Sequence, residues 1–283
     1  MNGRKTKMSD THTRDREKER QEQDKRIAEQ LARIKHKFLI MSGKGGVGKS
    51  TVAVNLAAAL ADQGYSVGLM DVDLHGPSTV KMLGLEGEPV KMSGQHLLPI
   101  PYGERMKVVS MAALLEDRDM AVIWRGPLKI GAIKQFISDV LWGELDYLFI
   151  DSPPGTGDEP LTVAQVMQGA RGIIVTTPQE VSLLDIRKSI TFCRQVNMPV
   201  VGILENMSGL ICPHCGGKID LFSSGGGERT AREMGVPFLG KIPIRPEIVI
   251  STDQGQPYVL LDDKGKEDFS GIIDKLIHGG TKE

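Results

Sequence analysis

The sequence predicts an α/β fold in which a mostly parallel central sheet is covered by helices on both faces. Three observations predict it: short runs that are apolar throughout, helical stretches between these runs, and polar or glycine-rich residues directly after several of them. Strands that are apolar on both sides are typical of parallel sheets covered by helices. Such sheets bind ligands at the carboxyl ends of their strands. The residues that follow each run are therefore the candidates for function.

The elements can be predicted in order from apolar runs and helical spacing. The predicted strands are residues 38–42, 66–71, 107–110, 147–151, 172–177 and 200–206. The predicted helices are residues 50–63, 130–141, 161–167 and 183–195. Residues 84–103 contain several glycines and prolines and are predicted to be a loop or a hairpin. Residues 262–267 are predicted to be a polar loop before a last helix near residues 269–277.

Composition limits the classes of function. The chain has 283 residues, of which 40% are hydrophobic and 25% charged, and its formal net charge is −1. This charge creates no general attraction for nucleic acid, and no apolar run approaches the ~20 residues of a membrane span. The N-terminus lacks the apolar stretch of a signal peptide. We therefore expect a cytoplasmic protein that binds neither nucleic acid nor membrane.

Residues 1–36 differ in composition from the rest of the chain. Residues 13–26 are almost wholly polar, whereas Ile27, Leu31 and Ile34 recur at helical spacing. We predict a charged N-terminal extension over residues 1–36 that is partly disordered and then helical, either solvated or binding a partner. Residues 37–283 are predicted to form a single α/β domain, with a cysteine-containing insertion near residues 210–222.

A glycine-rich loop follows the first predicted strand. Its sequence G-K-G-G-V-G-K-S, residues 43–50, matches G-x-x-x-x-G-K-[ST] and lies between a strand and a helix, the context of a phosphate-binding loop. Backbone N–H groups of such loops bind phosphate oxygens. We expect Lys49 to contact the β- and γ-phosphates of ATP, Ser50 to bind Mg²⁺ and Thr51 to contact the α-phosphate. The predicted nucleotide-binding residues of this loop are Gly43, Lys44, Gly45, Gly46, Val47, Gly48, Lys49, Ser50 and Thr51.

Carboxylates follow two other predicted strands. Asp151 ends Y-L-F-I-D, the form of a Walker B strand, and is expected to hold Mg²⁺ directly or through a water molecule. The sequence S-P-P-G-T-G-D follows, and its Gly155 N–H is a candidate sensor of the γ-phosphate. Asp73 lies just after Asp71 at the end of another strand and is a candidate for orienting the attacking water. Helix capping and turn formation are the alternative roles for Asp71 and Asp73.

The chain has three cysteines, and two of them are close in sequence. Cys212 and Cys215 form C-x-x-C, a spacing shared by zinc ribbons, redox dithiols and iron–sulfur sites. A zinc ribbon needs a second pair, which is absent, and the following G-G-K-I-D-L-F favours a hairpin over the helix of a thioredoxin motif. Two cysteines are half of a four-cysteine site, which a symmetric dimer would complete. Cys193, within a predicted helix, is expected to be a core residue.

The phosphate-binding loop contains a second lysine, Lys44, which is characteristic of a known group of ATPases. Lys44 within G-K-G-G-V-G-K-S-T resembles the signature lysine of deviant Walker A ATPases, which include ParA, MinD, nitrogenase iron protein and the Mrp/ApbC iron–sulfur carriers. In that family the lysine crosses a dimer interface and contacts the nucleotide of the other subunit. The resemblance implies a SIMIBI, MinD-like P-loop NTPase fold, a homodimer and catalytic roles for Lys44, Lys49, Asp73 and Asp151.

Among these relatives, the chain most resembles the Mrp/ApbC group, over about residues 36–260. The shared segments are residues 124–127, 151–158, 205–216, 225–228 and 236–243. The resemblance implies a cytosolic ATPase that carries a [4Fe–4S] cluster bridged between subunits by Cys212 and Cys215, and that transfers the cluster to apo iron–sulfur proteins. It also implies that Asn206 recognises adenine, although a structural asparagine at the end of a strand is an alternative.

The sequence leaves two other functions open. One is a positioning ATPase of the ParA or MinD type, which would need a basic face or an amphipathic C-terminal helix to bind DNA or membrane. The other is a dimeric ATPase whose two C-x-x-C pairs are clamped by zinc. The chain also lacks the N-terminal cysteine cluster of the eukaryotic scaffold relatives, because residues 1–36 contain no cysteine.

Overall fold

The computed structural model describes residues 21–73, 76–94, 96–111, 126–212, 214–219, 221 and 224–279. The strands are β1 (Ile34–Ser42), β2 (Val67–Asp71), β3 (Lys91–Ser93), β4 (His96–Leu98), β5 (Ile100–Tyr102), β6 (Met106–Ser110), β7 (Leu145–Asp151), β8 (Arg171–Thr176), β9 (Val200–Glu205), β10 (Leu210–Ile211), β11 (Lys218–Ile219) and β12 (Phe238–Lys241). The helices are α1 (residues 21–31), α2 (Lys49–Asp62), α3 (Thr79–Met82), α4 (Gly126–Asp139), α5 (Asp158–Val166), α6 (Glu180–Gln195), α7 (Gly226–Met234), α8 (Pro246–Asp253) and α9 (Asp263–His278).

One eight-stranded sheet organises the chain, in the order β12-β9-β8-β1-β7-β2-β6-β5. Every neighbouring pair in it is parallel except β5 with β6. Two small antiparallel hairpins, β3–β4 and β10–β11, lie outside this sheet. The mostly parallel sheet predicted from the apolar runs is therefore confirmed, and the carboxyl ends of its central strands meet at one edge.

The second half of β1 is apolar throughout from Phe38 to Met41, and the packing of these side chains explains why. Phe38 and Ile40 belong to the core on one face of the sheet, whereas Leu39 and Met41 belong to the core on the other. The first core contains α2 and α9, and the second contains residues of α1, α4, α5 and α6. Because successive side chains of a strand point to opposite faces, a strand covered on both sides has no place for a polar residue.

Helix α1 packs onto the second core. Its Ile27 and Leu31 are 5% and 6% exposed, and burying an aliphatic side chain of this size contributes about 1.5–3 kcal/mol. β1 begins at Ile34, so it crosses the boundary that we predicted between residues 36 and 37. The separate role predicted for residues 1–36 stays a prediction, and residues 1–20 of it lie outside the described residues, as do residues 124–125 of the segment at 124–127.

Two other predicted segments can be compared with the structure. Residues 84–103, expected to be a loop or a hairpin, contain the hairpin β3–β4 and the edge strand β5. The polar loop predicted at residues 262–267 is wrong, because α9 already begins at Asp263. Asp262 caps this helix by accepting a hydrogen bond from the Gly265 N–H at 2.8 Å. An N-terminal cap lets polar residues form the first turn of a helix.

Candidate nucleotide site and cysteine hairpin

The phosphate loop (residues 43–51) connects β1 to α2. Gly46 and Gly48 adopt left-handed backbone conformations, with φ of 78° and 79°, which glycine adopts without strain. Gly48 is the N-cap of α2 and has no side chain that could cap the helix. The N–H groups at the start of α2 are therefore not capped by this residue. Residues 45–51, together with Asp73 and Pro154, line a cavity of about 200 Å³. Exposed N–H groups at a helix start form an anion site.

Lys49 and Asp151 form a buried ion pair at this cavity. Lys49 Nζ lies 2.5 Å from Asp151 Oδ1, and the two side chains are 7% and 0% exposed. Burial raises the pKa of the Asp151 carboxyl, whereas the charge and hydrogen bond of Lys49, and a weaker one from Ser50, oppose the rise. Asp151 Oδ2 is buried and has no hydrogen-bond partner at normal geometry among the described residues. An unpaired buried oxygen beside a serine hydroxyl fits a Mg²⁺ ion or its bound water.

Asp71 and Asp73 have different surroundings. Asp71 is fully buried, and its carboxylate accepts hydrogen bonds from the Asp73, Ser78 and Thr79 backbone N–H groups and from the Thr79 hydroxyl, at 3.0 to 3.2 Å. Burial, followed by the charge of Asp151, raises the pKa of Asp71 to about 7 against these hydrogen bonds. Asp71 therefore organises the turn before α3, the alternative role considered above. Asp73 lines the phosphate-loop cavity, so its role in orienting water stays a prediction.

Lys44 and Gly155 lie on either side of the end of β1. Ser42 connects them, because its hydroxyl donates to the Lys44 carbonyl at 2.9 Å and its own carbonyl accepts from the Gly155 N–H at 2.8 Å. Among the described residues, the Lys44 ammonium has no hydrogen bond or ion pair. Gly155 would have to break its bond to Ser42 before its N–H could contact a phosphate. The two predicted roles stay predictions.

Asn206 contacts the phosphate loop directly. Its side-chain Nδ2 donates to the Val47 carbonyl at 2.9 Å, and its backbone N–H donates to the Thr176 carbonyl at 2.7 Å. A Cβ atom at Gly48 would lie 2.2 Å from the same Nδ2 atom, so only glycine fits at this position. Asn206 thus has the structural role that we considered as an alternative, and its predicted contact with adenine is untested.

Glu205 was not predicted as a site residue. It ends β9, is fully buried, and accepts hydrogen bonds from the Ser208 hydroxyl at 2.5 Å and from the Gly225 and Gly227 N–H groups at 3.2 and 2.6 Å. The last two donors lie at the N-terminus of α7, where a carboxylate is favoured. The signal in the sequence was V-V-G-I-L-E, an apolar strand that ends in an acid as the strand of Asp151 does.

The two cysteines lie on a hairpin formed by β10, β11 and the turn between them, which we call the cysteine hairpin. Cys212 is half-buried and Cys215 is exposed, and the Cys212 and Gly216 N–H groups donate to Gly217 and Cys212 at 2.9 Å. Backbone hydrogen bonds from Cys215, and then from His214, lower the pKa of the Cys212 thiol. A thiol with a lowered pKa and solvent access is suited to bind metal.

The remaining site predictions concern metals and membranes. Within the described part of the chain, no group of three or more His, Cys, Asp or Glu residues could hold a metal ion. In the part of the chain that the structure describes, the cysteine hairpin therefore offers two thiols and no third ligand of this kind. Cys193 is buried, as expected, and burial raises the pKa of its thiol to about 11. No described helix is both long and apolar enough to cross a membrane.

Comparisons with known proteins agree with this geometry. The chain is 51% identical over 265 residues to an iron–sulfur cluster carrier protein of Methanocaldococcus jannaschii, covering 93% of this chain and 91% of the relative. It is 45% identical to a cytosolic Fe–S cluster assembly factor NUBP2 homolog of Nematostella vectensis, covering 90% and 97%. The structure resembles that of an Archaeoglobus fulgidus nucleotide-binding protein in complex with ADP, with cobalt found in it, at a TM-score of 0.73 and 41% identity, covering 83% and 92%.

A family model covers nearly the whole described chain. It matches residues 33–277 and describes the NUBPL iron-transfer P-loop NTPases of the ParA group. The match begins one residue before β1, includes both the phosphate loop and the cysteine hairpin, and ends in α9. The predicted relationship to deviant Walker A ATPases and the predicted fold are therefore confirmed, and the chain belongs to the ParA/NUBPL iron-transfer P-loop NTPase family.

Proposed function

We propose that two copies of this chain bind and hydrolyse ATP, hold a [4Fe–4S] cluster between them through Cys212 and Cys215, and transfer it to apo iron–sulfur proteins. The observation that carries the proposal is the cysteine hairpin, which presents two accessible thiols without a third ligand among the described residues. Clusters of this kind are held by four thiolates. A two-fold axis beside the hairpin would supply the other two.

The phosphate loop supports the ATPase part of the proposal. Lys49 is held by Asp151 at the floor of the cavity, and we infer that it contacts the β- and γ-phosphates when ATP is bound. The N–H groups at the start of α2 bind the same phosphates. Asp73 lines the cavity and would orient the attacking water. Charge that develops on the phosphates during hydrolysis is thereby neutralised by fixed donors.

The residues beside Lys49 fit a Mg²⁺ ion. Ser50 and Asp151 would hold it, the first through its hydroxyl and the second through Oδ2, directly or by way of a bound water molecule. When bound, Mg²⁺ neutralises phosphate charge and fixes the orientation of the ATP phosphates. Asp71 is not a candidate ligand, because its two oxygens are engaged by the backbone and the Thr79 hydroxyl.

Lys44 and several exposed apolar side chains support a dimer. Lys44 has no partner among the described residues, and we infer that its ammonium contacts the nucleotide bound to the second copy, as an arginine finger does. Near the phosphate loop, Val181 and Leu184 at the start of α6 are both 65% exposed. On and after the cysteine hairpin, Ile219 and Leu221 are 45% and 54% exposed. A second copy would cover such side chains.

The recipients and the compartment are inferred from the relatives. One relative is named as a carrier of iron–sulfur clusters and another as a cytosolic factor for their assembly. We infer that this chain acts in the cytoplasm and that its partners are apo iron–sulfur proteins. The apolar face of α9, including Phe269, Ile272 and Ile273, is buried in the core. This helix is therefore not available to bind a membrane, as a MinD-like positioning ATPase would require.

Metal stoichiometry in protein purified without oxygen tests the proposal. We expect about four irons and four sulfides per two chains and no zinc, with the absorbance of an iron–sulfur cluster. Replacing Cys212 or Cys215 by serine should abolish cluster binding, whereas Cys193→Ser should retain it because Cys193 is buried elsewhere. One zinc per two chains would favour the structural clamp, and a metal held entirely within one chain would refute the shared site.

The role of Lys44 needs its own comparison. Lys44→Ala should lower the ATPase rate by roughly 10³-fold, as loss of a finger residue does, while ATP binding to the single chain is retained. Lys264→Ala, at an exposed position on α9, is the matched control. Mixing Lys44→Ala with an Asp73→Asn variant should restore part of the activity, because one site of the mixed dimer then has both groups. No restoration would argue against a lysine that acts across the interface.

A further inference from the structure

One buried carboxylate holds both ends of the segment that carries the cysteines. Glu205 accepts hydrogen bonds from the Ser208 hydroxyl, two residues before the cysteine hairpin begins, and from the Gly225 and Gly227 N–H groups, which follow the hairpin at the start of α7. All three bonds end on oxygens of a side chain that is fully buried. A buried carboxylate requires such donors, so losing it would release the two ends together.

The residue after Glu205 touches the phosphate loop. Asn206 donates to the Val47 carbonyl at 2.9 Å. A Cβ atom at Gly48 would lie 2.2 Å from the Asn206 side chain and 3.7 Å from the Met207 Cε atom. The loop and these two residues are therefore packed without a gap. A shift of the phosphate loop on nucleotide binding must displace Asn206 or break its hydrogen bond.

The path from Asn206 to the cysteine hairpin is short and fixed. Met207 has a φ of 56°, a left-handed conformation that is strained for a residue other than glycine. Ser208 then donates its N–H to the Ile242 carbonyl at 2.9 Å, and the Gly209 carbonyl accepts from the Ile244 N–H at 2.7 Å. β10 begins at the next residue. These backbone hydrogen bonds hold residues 207–209 in place, so we expect a movement of Asn206 to be passed on to β10.

We propose that Glu205 is a positioning residue that couples the nucleotide state of the phosphate loop to the orientation of the cysteine hairpin. A change at Val47 reaches Glu205 through Asn206, and Glu205 moves Ser208, which precedes the hairpin, and the start of α7, which follows it, as one unit. The accessibility of Cys212 and Cys215 then differs between the nucleotide-free and ATP-bound chain. This inference deepens the proposed function, since it concerns how ATP controls the cluster site, but its test needs no cluster.

Thiol reactivity in the metal-free full-length chain measures the coupling. Cys212 and Cys215 are alkylated with N-ethylmaleimide, with and without the Mg²⁺ complex of a non-hydrolysable ATP analogue, and the rates are followed by mass spectrometry. In the unmodified chain the analogue should change at least one rate by roughly fivefold, the lower end of typical coupling between sites. In Glu205→Gln this ratio should fall to near one, with analogue affinity changed by less than about threefold.

Matched variants separate positioning from a general structural effect. Glu228→Gln removes a nearby carboxylate that forms a half-exposed ion pair with Lys241 at 3.1 Å, and it should retain the original ratio. Ser208→Ala removes one of the bonds to Glu205 and should give an intermediate ratio. Cys193 is buried and should stay unlabelled wherever the fold is intact. If Glu205→Gln does not fold, the result with Ser208→Ala decides.

Two results would overturn the inference: an analogue that leaves both thiol rates unchanged in the original chain, or a full nucleotide effect that persists in Glu205→Gln and Ser208→Ala. The proposed function fails separately. A chain that binds zinc or no metal, yet shows the nucleotide effect on its thiols, would retain the role of Glu205 and lose the role in cluster transfer. A chain that transfers clusters but shows no nucleotide effect on its thiols would retain the proposed function and lose the role of Glu205.

Discussion

The buried pair of Lys49 and Asp151 predicts a loss of stability that is separate from catalysis. The two side chains are 7% and 0% exposed, and Nζ lies 2.5 Å from Oδ1. Lys49→Met removes the charge and keeps an unbranched side chain. Breaking a buried pair by removing one partner costs about 3–5 kcal/mol, because the other charge stays buried and unpaired. Because burial raises the pKa of the Asp151 carboxyl and so disfavours its charged form, we expect a loss at the lower end, about 3 kcal/mol.

Urea unfolding of the nucleotide-free chain at neutral pH measures this loss. Thermal unfolding is a second measurement of the same loss. We expect its midpoint to fall by roughly 6–12 °C, at 2–4 °C per kcal/mol for a domain of this size. The double variant Lys49→Met with Asp151→Asn should regain about 2 kcal/mol relative to Lys49→Met, because the unpaired charge has been removed. The single and double variants should all lack ATPase activity, so stability and activity should not follow each other.

An exposed pair provides the control. Lys35 and Asp146 are 2.7 Å apart, but the lysine is 72% exposed, so Lys35→Met should change the free energy of unfolding far less than Lys49→Met. A loss below about 1 kcal/mol in Lys49→Met, typical of a surface pair, would refute the reasoning. So would a double variant whose loss equals the sum of the two single losses, because the two side chains would then act independently.

Three further predictions concern individual residues. Gly48→Ala should weaken ADP binding in calorimetry by about tenfold or more, because Gly48 has a φ of 79° and the added Cβ would lie 2.2 Å from Asn206 Nδ2. Gly271→Ala is the control and should not weaken binding, because a Cβ at Gly271 meets nothing within 4 Å. Alkylation of Cys212 in the metal-free chain should reach half its maximal rate at a pH below that of a cysteine in an unstructured peptide, because hydrogen bonds from Cys215 and His214 lower its pKa; an equal or higher midpoint would contradict this. Asp71 has a pKa raised from 3.8 to about 7 in the folded chain, so between these values the folded state binds more protons than the unfolded state and the free energy of unfolding falls as pH rises. Asp71→Asn should make this fall smaller in urea unfolding at pH 5 and pH 7, and equal slopes would show that Asp71 is not the titrating group.

The sequence predicted the central strands and the phosphate loop because local pattern determines both. β7 is an apolar run that ends in Asp151, and its place between two helices leaves only a parallel, fully covered strand as a sensible interpretation. The phosphate loop requires glycine at positions of positive φ, as Gly46 and Gly48 show. Because all of its residues are consecutive, the loop can be recognised from the sequence alone. The hairpin predicted around the cysteines is likewise a local feature and is confirmed by β10 and β11.

The contacts that join the two sites could not be predicted in this way. Glu205 meets Gly227, which lies 22 residues later, and Asn206 meets Val47, which lies 159 residues earlier. Neither separation leaves a period or a motif in the sequence, because the partners are brought together by the order of strands in the sheet. The start of α9 was missed for a different reason. Its first turn is polar and continues from a capping aspartate, Asp262, so hydrophobic periodicity appears only from Phe269 onward.

The strand order also bears on the proposed coupling between the phosphate loop and the cysteine hairpin. β1 leads into the phosphate loop, β7 ends in Asp151 on one side of it, and β9 ends in Glu205 two strands away on the other. With neighbouring strands about 4.8 Å apart, the root of the cysteine hairpin lies roughly 10 Å from the end of β1. Over that distance, the proposed coupling requires only two hydrogen bonds and one packed side chain. Because parallel strands place all their carboxyl ends at one edge, the proposed coupling between ATP binding and the cysteines requires no long allosteric path.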